Sequence, residues 1–336
     1  MTTIRRRAPG FAVAALCALT AACGGSDSGE RQRFLSLGTA PPGGAFFVVG
    51  GALAEVLNEQ GTANAWQVTA EATKGTRENI RRLATGEMDL ALANAAVTYF
   101  AVRGEPEGEW EQAFPMRSLV TLAPNVAMFV TPRSSGIETL AGLKGQRVVV
   151  GVAGAGFEFF VRPLLAAHGV SYDDFSPLYN TQAGAVDLLS DGSAAAAFLG
   201  GAVPTGSITQ VASGRDALLI PFDPEARQRL IDEYPFFRPV TIPAGTYAGQ
   251  DEPYEGLDVG SMHLIVAANQ EEDLAYRLTR ALYENRERLA EKHPAGRAVN
   301  PTNAVRDTGT QFHPGAIRYY GEIGIWPEAA SEEDAG

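Results

Sequence analysis

The sequence is almost without cysteine: of its 336 residues only Cys17 and Cys23 carry thiols. Both fall in the first 23 positions, so the rest of the chain offers no disulfide, no thiolate metal ligand and no cysteine nucleophile. Histidine is scarce as well. His168, His263, His293 and His313 are scattered without the i, i+4 spacing of a helical metal site, and each reads as a helix-end or packing residue. No G-x-S-x-G elbow and no Gly-rich Lys-Ser/Thr phosphate loop occurs, so the chain is expected to be no enzyme and to carry no cofactor.

Basic runs are missing beyond the N-terminus. The 27 Lys and Arg are spread among 39 Asp and Glu, for a formal net charge of −12, which argues against a nucleic-acid partner because neutralising a phosphate backbone needs clustered cations. Past residue 22 no segment approaches the roughly 18 apolar residues that a spanning helix needs. What is abundant is glycine and proline, 37 and 20 residues, which indicates many turns and excludes a coiled coil. At ~150 residues per domain the length suggests about two compact units.

The first 22 residues read as an export signal, with Arg5, Arg6 and Arg7 as the basic region, an apolar core over 11–19 and small residues before Cys23. The run Leu19-Thr20-Ala21-Ala22-Cys23 resembles a bacterial lipobox, with Thr20 where an aliphatic residue is usual. The expectation is an extracytoplasmic protein, lipid-anchored through Cys23 and attached to the membrane by that lipid only. Residues 23–33 would form the lipidated cysteine and a flexible Gly/Ser-rich tether, and 328–336 an acidic, frayed tail.

Between them the sequence alternates short β-rich runs, glycine loops and amphipathic helices, the pattern of α/β layers. Strands are predicted at 34–38, 66–71, 88–92 and 147–152. Helices are predicted at 46–58, at 76–84 with Thr76 as N-cap, at 157–168, and over a long C-terminal stretch, 273–293. Residues 188–198 parallel 83–92 as helix end, glycine turn and buried strand, which suggests two lobes built alike whose helix N-termini face one crevice. The boundaries read as 34–125 plus 257–327 for lobe 1 and 126–256 for lobe 2, with 126–130 and 262–266 as hinge strands or, alternatively, ordinary central strands.

Glycine loops opening helices present backbone N–H groups and positive dipole ends, suited to a carboxylate or phosphate. Candidate ligand-binding residues are therefore Gly44, Ala45, Phe46 and Phe47 in the first loop and Lys74, Thr76 and Asn79 in the second. Asn94 follows a buried strand, and Gly154, Ala155, Gly156, Phe157, Gly200 and Gly201 belong to the second lobe. The glycines at 151, 154 and 156 miss the G-x-G-x-x-G spacing of dinucleotide sites. Lys74 has a counterpart reading as a solvated surface charge, and the phenylalanines as core.

Four collinear stretches resemble the TAXI family, the extracytoplasmic solute receptors of tripartite ATP-independent periplasmic (TRAP) transporters. They are the run from Gly43 to Gly51, the loop Lys74-Gly75-Thr76-Arg77-Glu78-Asn79, the string from Thr241 to Asp251, and Phe312-His313-Pro314-Gly315-Ala316. The resemblance implies an α/β, two-lobed periplasmic-binding-protein-like type II fold, with central mixed sheets, helices on both faces and a hinge between lobes. It also implies capture of a small carboxylate for a TRAP-type permease, by a protein expected to be a monomer. Ala45, Phe46 and Phe47 stand where the family commonly has a threonine and two tyrosines, and Ala155 and Phe157 where it has a serine and a threonine. Fewer side-chain donors point to a ligand with one anionic end and a body less polar than glutamate. A sensor contacting a signalling ectodomain is the alternative reading, and an exported hydrolase ranks below both.

Overall fold

The computed structural model describes residues 32–42, 44–105, 110–214 and 217–327. The expected leader, Cys23, most of the tether and the acidic tail lie outside them. The strands are, in chain order, β1 (Arg33–Gly38), β2 (Trp66–Glu71), β3 (Leu90–Asn94), β4 (Met116–Thr121), β5 (Val126–Pro132), β6 (Arg147–Val149), β7 (Ser176–Leu178), β8 (Ala196–Gly201), β9 (Ala217–Ile220), β10 (Phe237–Ile242), β11 (Tyr254–Val259) and β12 (Met262–Ala267). The α-helices are α1 (Ala45–Glu59), α2 (Gly61–Asn64), α3 (Thr76–Thr85), α4 (Ala95–Arg103), α5 (Glu158–Ala167), α6 (Gln182–Ser190), α7 (Gly206–Gly214), α8 (Pro224–Glu233), α9 (Glu272–Glu284), α10 (Arg286–Lys292), α11 (Pro301–Ala304) and α12 (Pro314–Glu322).

Two mixed sheets result. The first has the order β2-β1-β3-β12-β4, parallel through β2, β1 and β3 and antiparallel where β12 joins β3 and β4. The second has the order β10-β11-β5-β8-β6-β7, with β9 on the edge of β5 beyond the stretch that pairs with β11. The central strands read as small or branched apolar runs, and β3, β5 and β8 are buried along their whole length, as strands covered on both faces must be. One apolar cluster joins Leu35, Leu37, Leu53, Leu57, Leu278 and Tyr320 between the first sheet and the helices on one of its faces. The other runs from Ile80, Val97 and Phe100 in the first lobe into Phe129, Phe160 and Phe198 in the second.

The crossings between sheets are short. β4 lies in the first sheet and β5 in the second, so the chain leaves the first lobe at 122–125 and returns at Gly260-Ser261, after β11 has run to Val259. Of the two readings of 126–130 and 262–266, the central-strand one describes their pairing: both are inner strands, β5 and β12, paired on both sides, and the return falls three residues past the 256/257 boundary. The expected long helix 273–293 breaks at Asn285, whose amide nitrogen donates to Ala281 O at 2.7 Å while its Oδ1 accepts from Gln60 Nε2 at 3.3 Å.

Candidate functional site

In each strand-loop-helix unit the helix begins at the carboxyl edge of the preceding strand, and here those edges converge. The starts of α1, α3, α4, α5 and α6 line one cavity of about 90 Å³ between the sheets, together with the 39–42 loop, the end of β8 and Asn125 of the outward crossing. Two of these helices are closed by their own side chains. Asn94 Oδ1 accepts from the N–H groups of Ala96 and Val97 at 2.9 and 3.2 Å, and Thr181 Oγ1 accepts from Gly184 N–H at 3.1 Å. At α1, α3 and α5 no side chain caps the helix, which leaves first-turn N–H groups and positive dipole ends at the cavity.

Among the described lining residues Lys74 is the one charged side chain, and no Asp, Glu or His accompanies it. Lys74 is exposed, and its ammonium has no ion-pair partner among the described residues. The opposite wall is apolar, formed by Val149, Val152, Phe157, Phe160 and Phe198. The Phe157 ring lies 5.7 Å from Phe160 and 6.0 Å from Phe198, centroid to centroid. It rests on Gly151, where φ is +101° and a Cβ would stand 2.5 Å from the ring, so glycine alone fits there.

Of the residues expected from sequence, Gly44, Ala45, Phe46, Lys74, Thr76, Asn94, Ala155, Gly156, Phe157 and Gly200 line this cavity, whereas Phe47, Asn79, Gly154 and Gly201 do not. Phe47 is turned about 100° from Phe46 around α1 and is 37% exposed. Asn79 is fully buried, and its amide donates to Thr39 O at 2.8 Å and Leu92 O at 2.9 Å, holding the first loop to β3. Thr76 is not the N-cap. Gly75 takes that place, and Thr76 Oγ1 accepts from Asn94 N–H at 3.0 Å. Gly154 is a turn residue with φ of +72°, and Gly201 packs against Ala45, where a Cβ would come within 3.0 Å of the alanine's.

Sequence reasoning missed Asn125 and the Asn180-Thr181-Gln182 loop. A signal for the second existed: threonine before the apolar positions of α6 is a helix start, and Thr181 is that N-cap. Gln182 Nε2 donates to Gly200 O at 2.6 Å while its Oε1 accepts from Ser207 Oγ at 2.7 Å, joining α6, β8 and α7. Pro124-Asn125 interrupts an apolar run that reads as one hinge segment, so its place at the cavity depends on where the chain crosses.

The lobes touch beside the cavity. A Cβ on Gly75, whose φ is +118°, would stand 3.4 Å from Ala155 Cβ, and one on Gly156 would stand 3.1 Å from a Val97 methyl. Gly75→Val combines the strain of a backbone region that essentially only glycine adopts, about 1–3 kcal/mol, with a wedge between the lobes. It is expected to lower the melting temperature by several degrees and to expand the particle in small-angle scattering. An unchanged radius of gyration with unchanged stability would contradict this contact.

A buried polar cluster spans the crossings. Asp258 Oδ1 accepts from Asn125 N–H at 3.0 Å, Ser261 Oγ donates to Asp258 Oδ2, and Arg306 reaches both Ser261 Oγ and, at 3.6 Å, Asp258. Burial pushes the Asp258 carboxyl up to about 6 against the lowering effects of Ser261, Arg306, Asn125 and Arg238. The histidines lie elsewhere. His168, His293 and His313 bond helix-end backbone, and His263 is buried in β12. Among the described residues no group of three or more His, Cys, Asp or Glu is placed to hold a metal, and no helix is long and apolar enough to cross a membrane.

Two mixed α/β lobes, joined by paired crossings around a cleft at the strand carboxyl ends, define a periplasmic-binding-protein-like fold. The model of the NMT1-like family matches residues 37–324, and the chain belongs to that family. It is similar in fold to the binding-protein component of an ABC phosphonate transporter from Pseudomonas aeruginosa, with 10% identity, 90% of this chain and 92% of that chain covered, and a TM-score of 0.51. A protein from Bordetella bronchiseptica RB50 matches at 14% identity over 88% of this chain and 90% of its own, with a TM-score of 0.53. A Xanthomonas citri protein bound to ATP matches at 12% identity over 88% and 97%, with a TM-score of 0.50.

Proposed function

We propose that this protein is an extracytoplasmic solute-binding receptor that captures a small organic anion between its lobes and delivers it to a membrane permease, without covalent chemistry. The observation that carries the reading is the pairing of Lys74 with the uncapped starts of α1, α3 and α5, with no carboxylate among the described lining residues. Such an arrangement stabilises negative charge. The apolar wall of Phe157, Phe160 and Phe198 suits a ligand with an aliphatic or aromatic body. Among the described lining residues no imidazole or carboxylate stands ready to take a proton from the threonines, which favours binding over turnover.

The anion is a carboxylate in this reading, the four TAXI-like sequence stretches favour a TRAP-type permease, and the lipobox-like run from Leu19 to Cys23 favours an anchor at Cys23. The P. aeruginosa structure belongs to a phosphonate transporter, so phosphonates belong in the test. Thermal shift with glutamate, succinate, hexanoate, phenylacetate and ethylphosphonate is the experiment, since a ligand that binds only the folded state raises its melting temperature. A shift with hexanoate or phenylacetate exceeding that with glutamate is expected. Lys74→Ala should weaken that binding by about 10- to 100-fold, the worth of a charged hydrogen bond. A positive shift that Lys74→Glu leaves unchanged would sink the reading.

A further inference from the structure

Asn125 is 7% exposed and lines the cavity from the outward crossing. Its backbone is held on both sides, the N–H donating to Asp258 Oδ1 and the carbonyl accepting from Val259 N–H, each at 3.0 Å. Its side-chain amide has no hydrogen-bond partner among the described residues. Neighbouring polar groups are already engaged within the protein. Asn94 caps α4 and donates to Gly260 O at 2.8 Å, Gln182 bridges Gly200 and Ser207, and Thr76 holds the Asn94 N–H.

Both polar atoms of that amide open onto the cavity rather than being sealed from solvent, so a ligand that displaces solvent there loses affinity unless it replaces both hydrogen bonds. An anionic oxygen satisfies only the Nδ2 donor. The Oδ1 acceptor requires an N–H or O–H, which a plain carboxylate or phosphonate does not carry. We infer that Asn125 is a specificity-determining residue, and that the ligand carries a hydroxyl, amino or amide hydrogen beside its anionic end. This deepens the anion-receptor reading and rests on it. Asp258 is the positioning residue, because it fixes the Asn125 peptide where the chain passes between lobes.

Two matched pairs test the inference by calorimetry: 2-hydroxyhexanoate against hexanoate, and mandelate against phenylacetate. The wild-type protein is expected to bind the hydroxy acid of at least one pair tenfold or more tightly. Asn125→Ala should erase that preference while leaving the melting temperature of the unliganded protein within about 2 °C, since the side chain has no protein partner to lose. Asn125→Ser, which retains a hydroxyl donor and acceptor, should keep part of the preference. Equal wild-type binding within both pairs, or a preference that survives Asn125→Ala, overturns the role of Asn125. If Lys74→Ala still weakens binding in that case, the anion reading stands. A large fall in unliganded melting temperature for both Asn125 variants would mark the side chain as structural and overturn the inference. Wild-type silence with both pairs and with every other anion named above overturns the anion reading and this inference with it.

Discussion

Lowering the pH from 7 to 4 should move the stabilities of His263→Gln and Asp258→Asn in opposite directions, with the wild type between them. His263 is fully buried in β12, with Nε2 2.9 Å from Thr98 Oγ1 and Nδ1 without a hydrogen-bond partner. Thr98 donates its own proton to Asn94 O at 3.1 Å, so the imidazole donates from Nε2 and its bare Nδ1 faces apolar surroundings. Burial lowers its pKa to about 3. The folded protein therefore binds fewer protons than the unfolded chain between about pH 3 and 6.5, and stability falls as pH falls through that window.

Asp258 has the opposite sign. Its folded pKa of about 6 lies above the ordinary 3.8, so its contribution is fully present below the unfolded value and is lost as pH rises through about 6. From pH 7 to 4 the His263 shift destabilises by about 3 kcal/mol and the Asp258 shift stabilises by about 2 kcal/mol. The wild type should thus lose only about 1 kcal/mol from this pair, Asp258→Asn about 3, and His263→Gln should gain about 2. Urea denaturation at half-unit pH intervals reads all three, and exposed carboxylates common to them cancel. Parallel stability curves for the three proteins would contradict the buried, unpaired state of His263.

Replacing Phe159 by alanine should cost about 3–5 kcal/mol, the range for a phenylalanine deleted from a packed core, and should also separate the lobes. Phe159, in the first turn of α5, stacks at 5.7 Å on Phe100 and at 5.8 Å on Trp110, with interplanar angles of 28° and 26°. Phe100 belongs to α4 of the first lobe, and the Arg77 guanidinium lies 5.8 Å from the Phe159 centroid. The second lobe thus inserts one ring between two rings of the first, beside the cavity rather than inside it. Closed lobes bind better than open ones only by their differential contacts, so removing the ring should lower ligand affinity although it touches no ligand. Small-angle scattering should show a larger radius of gyration for Phe159→Ala than for Phe129→Ala, whose ring packs on Phe198 within the second lobe. Equal radii would contradict a latch at Phe159.

Much of the cavity was legible because it is built from local motifs. Gly44, Gly75 and Gly156 precede helices, and in parallel α/β units helix starts gather at one edge of the sheet, so Lys74, Thr76 and Phe157 follow from spacing alone. The resemblance-based exchange of hydroxyls at Ala45, Phe46, Phe47, Ala155 and Phe157 suggested a less polar ligand, and of these only Phe157 forms part of the apolar wall. Fully buried strands such as β3 and β5 were legible as apolar runs.

Where the crossings fall, and which residues they bring to the cleft, depended on pairing between distant segments. In sequence β5 reads as a hinge strand or an ordinary central strand, and its backbone groups pair with β8, β9 and β11, 67 or more residues away at their nearest registers, which confines the outward crossing to 122–125. Asn125, Asp258 and Arg306 are unremarkable polar residues in sequence, and only the folding of both crossings into one layer buries them together. The same holds for Asn79, whose position three residues after Thr76 suggested a helix start, whereas β3 and the first loop close over it and engage its amide. Sequence by itself determined the local turns, helix starts and apolar strands, since these depend on neighbours a few residues apart. Tertiary structure decided which polar side chains remain unpaired at the cavity, because that depends on partners brought in from across the chain.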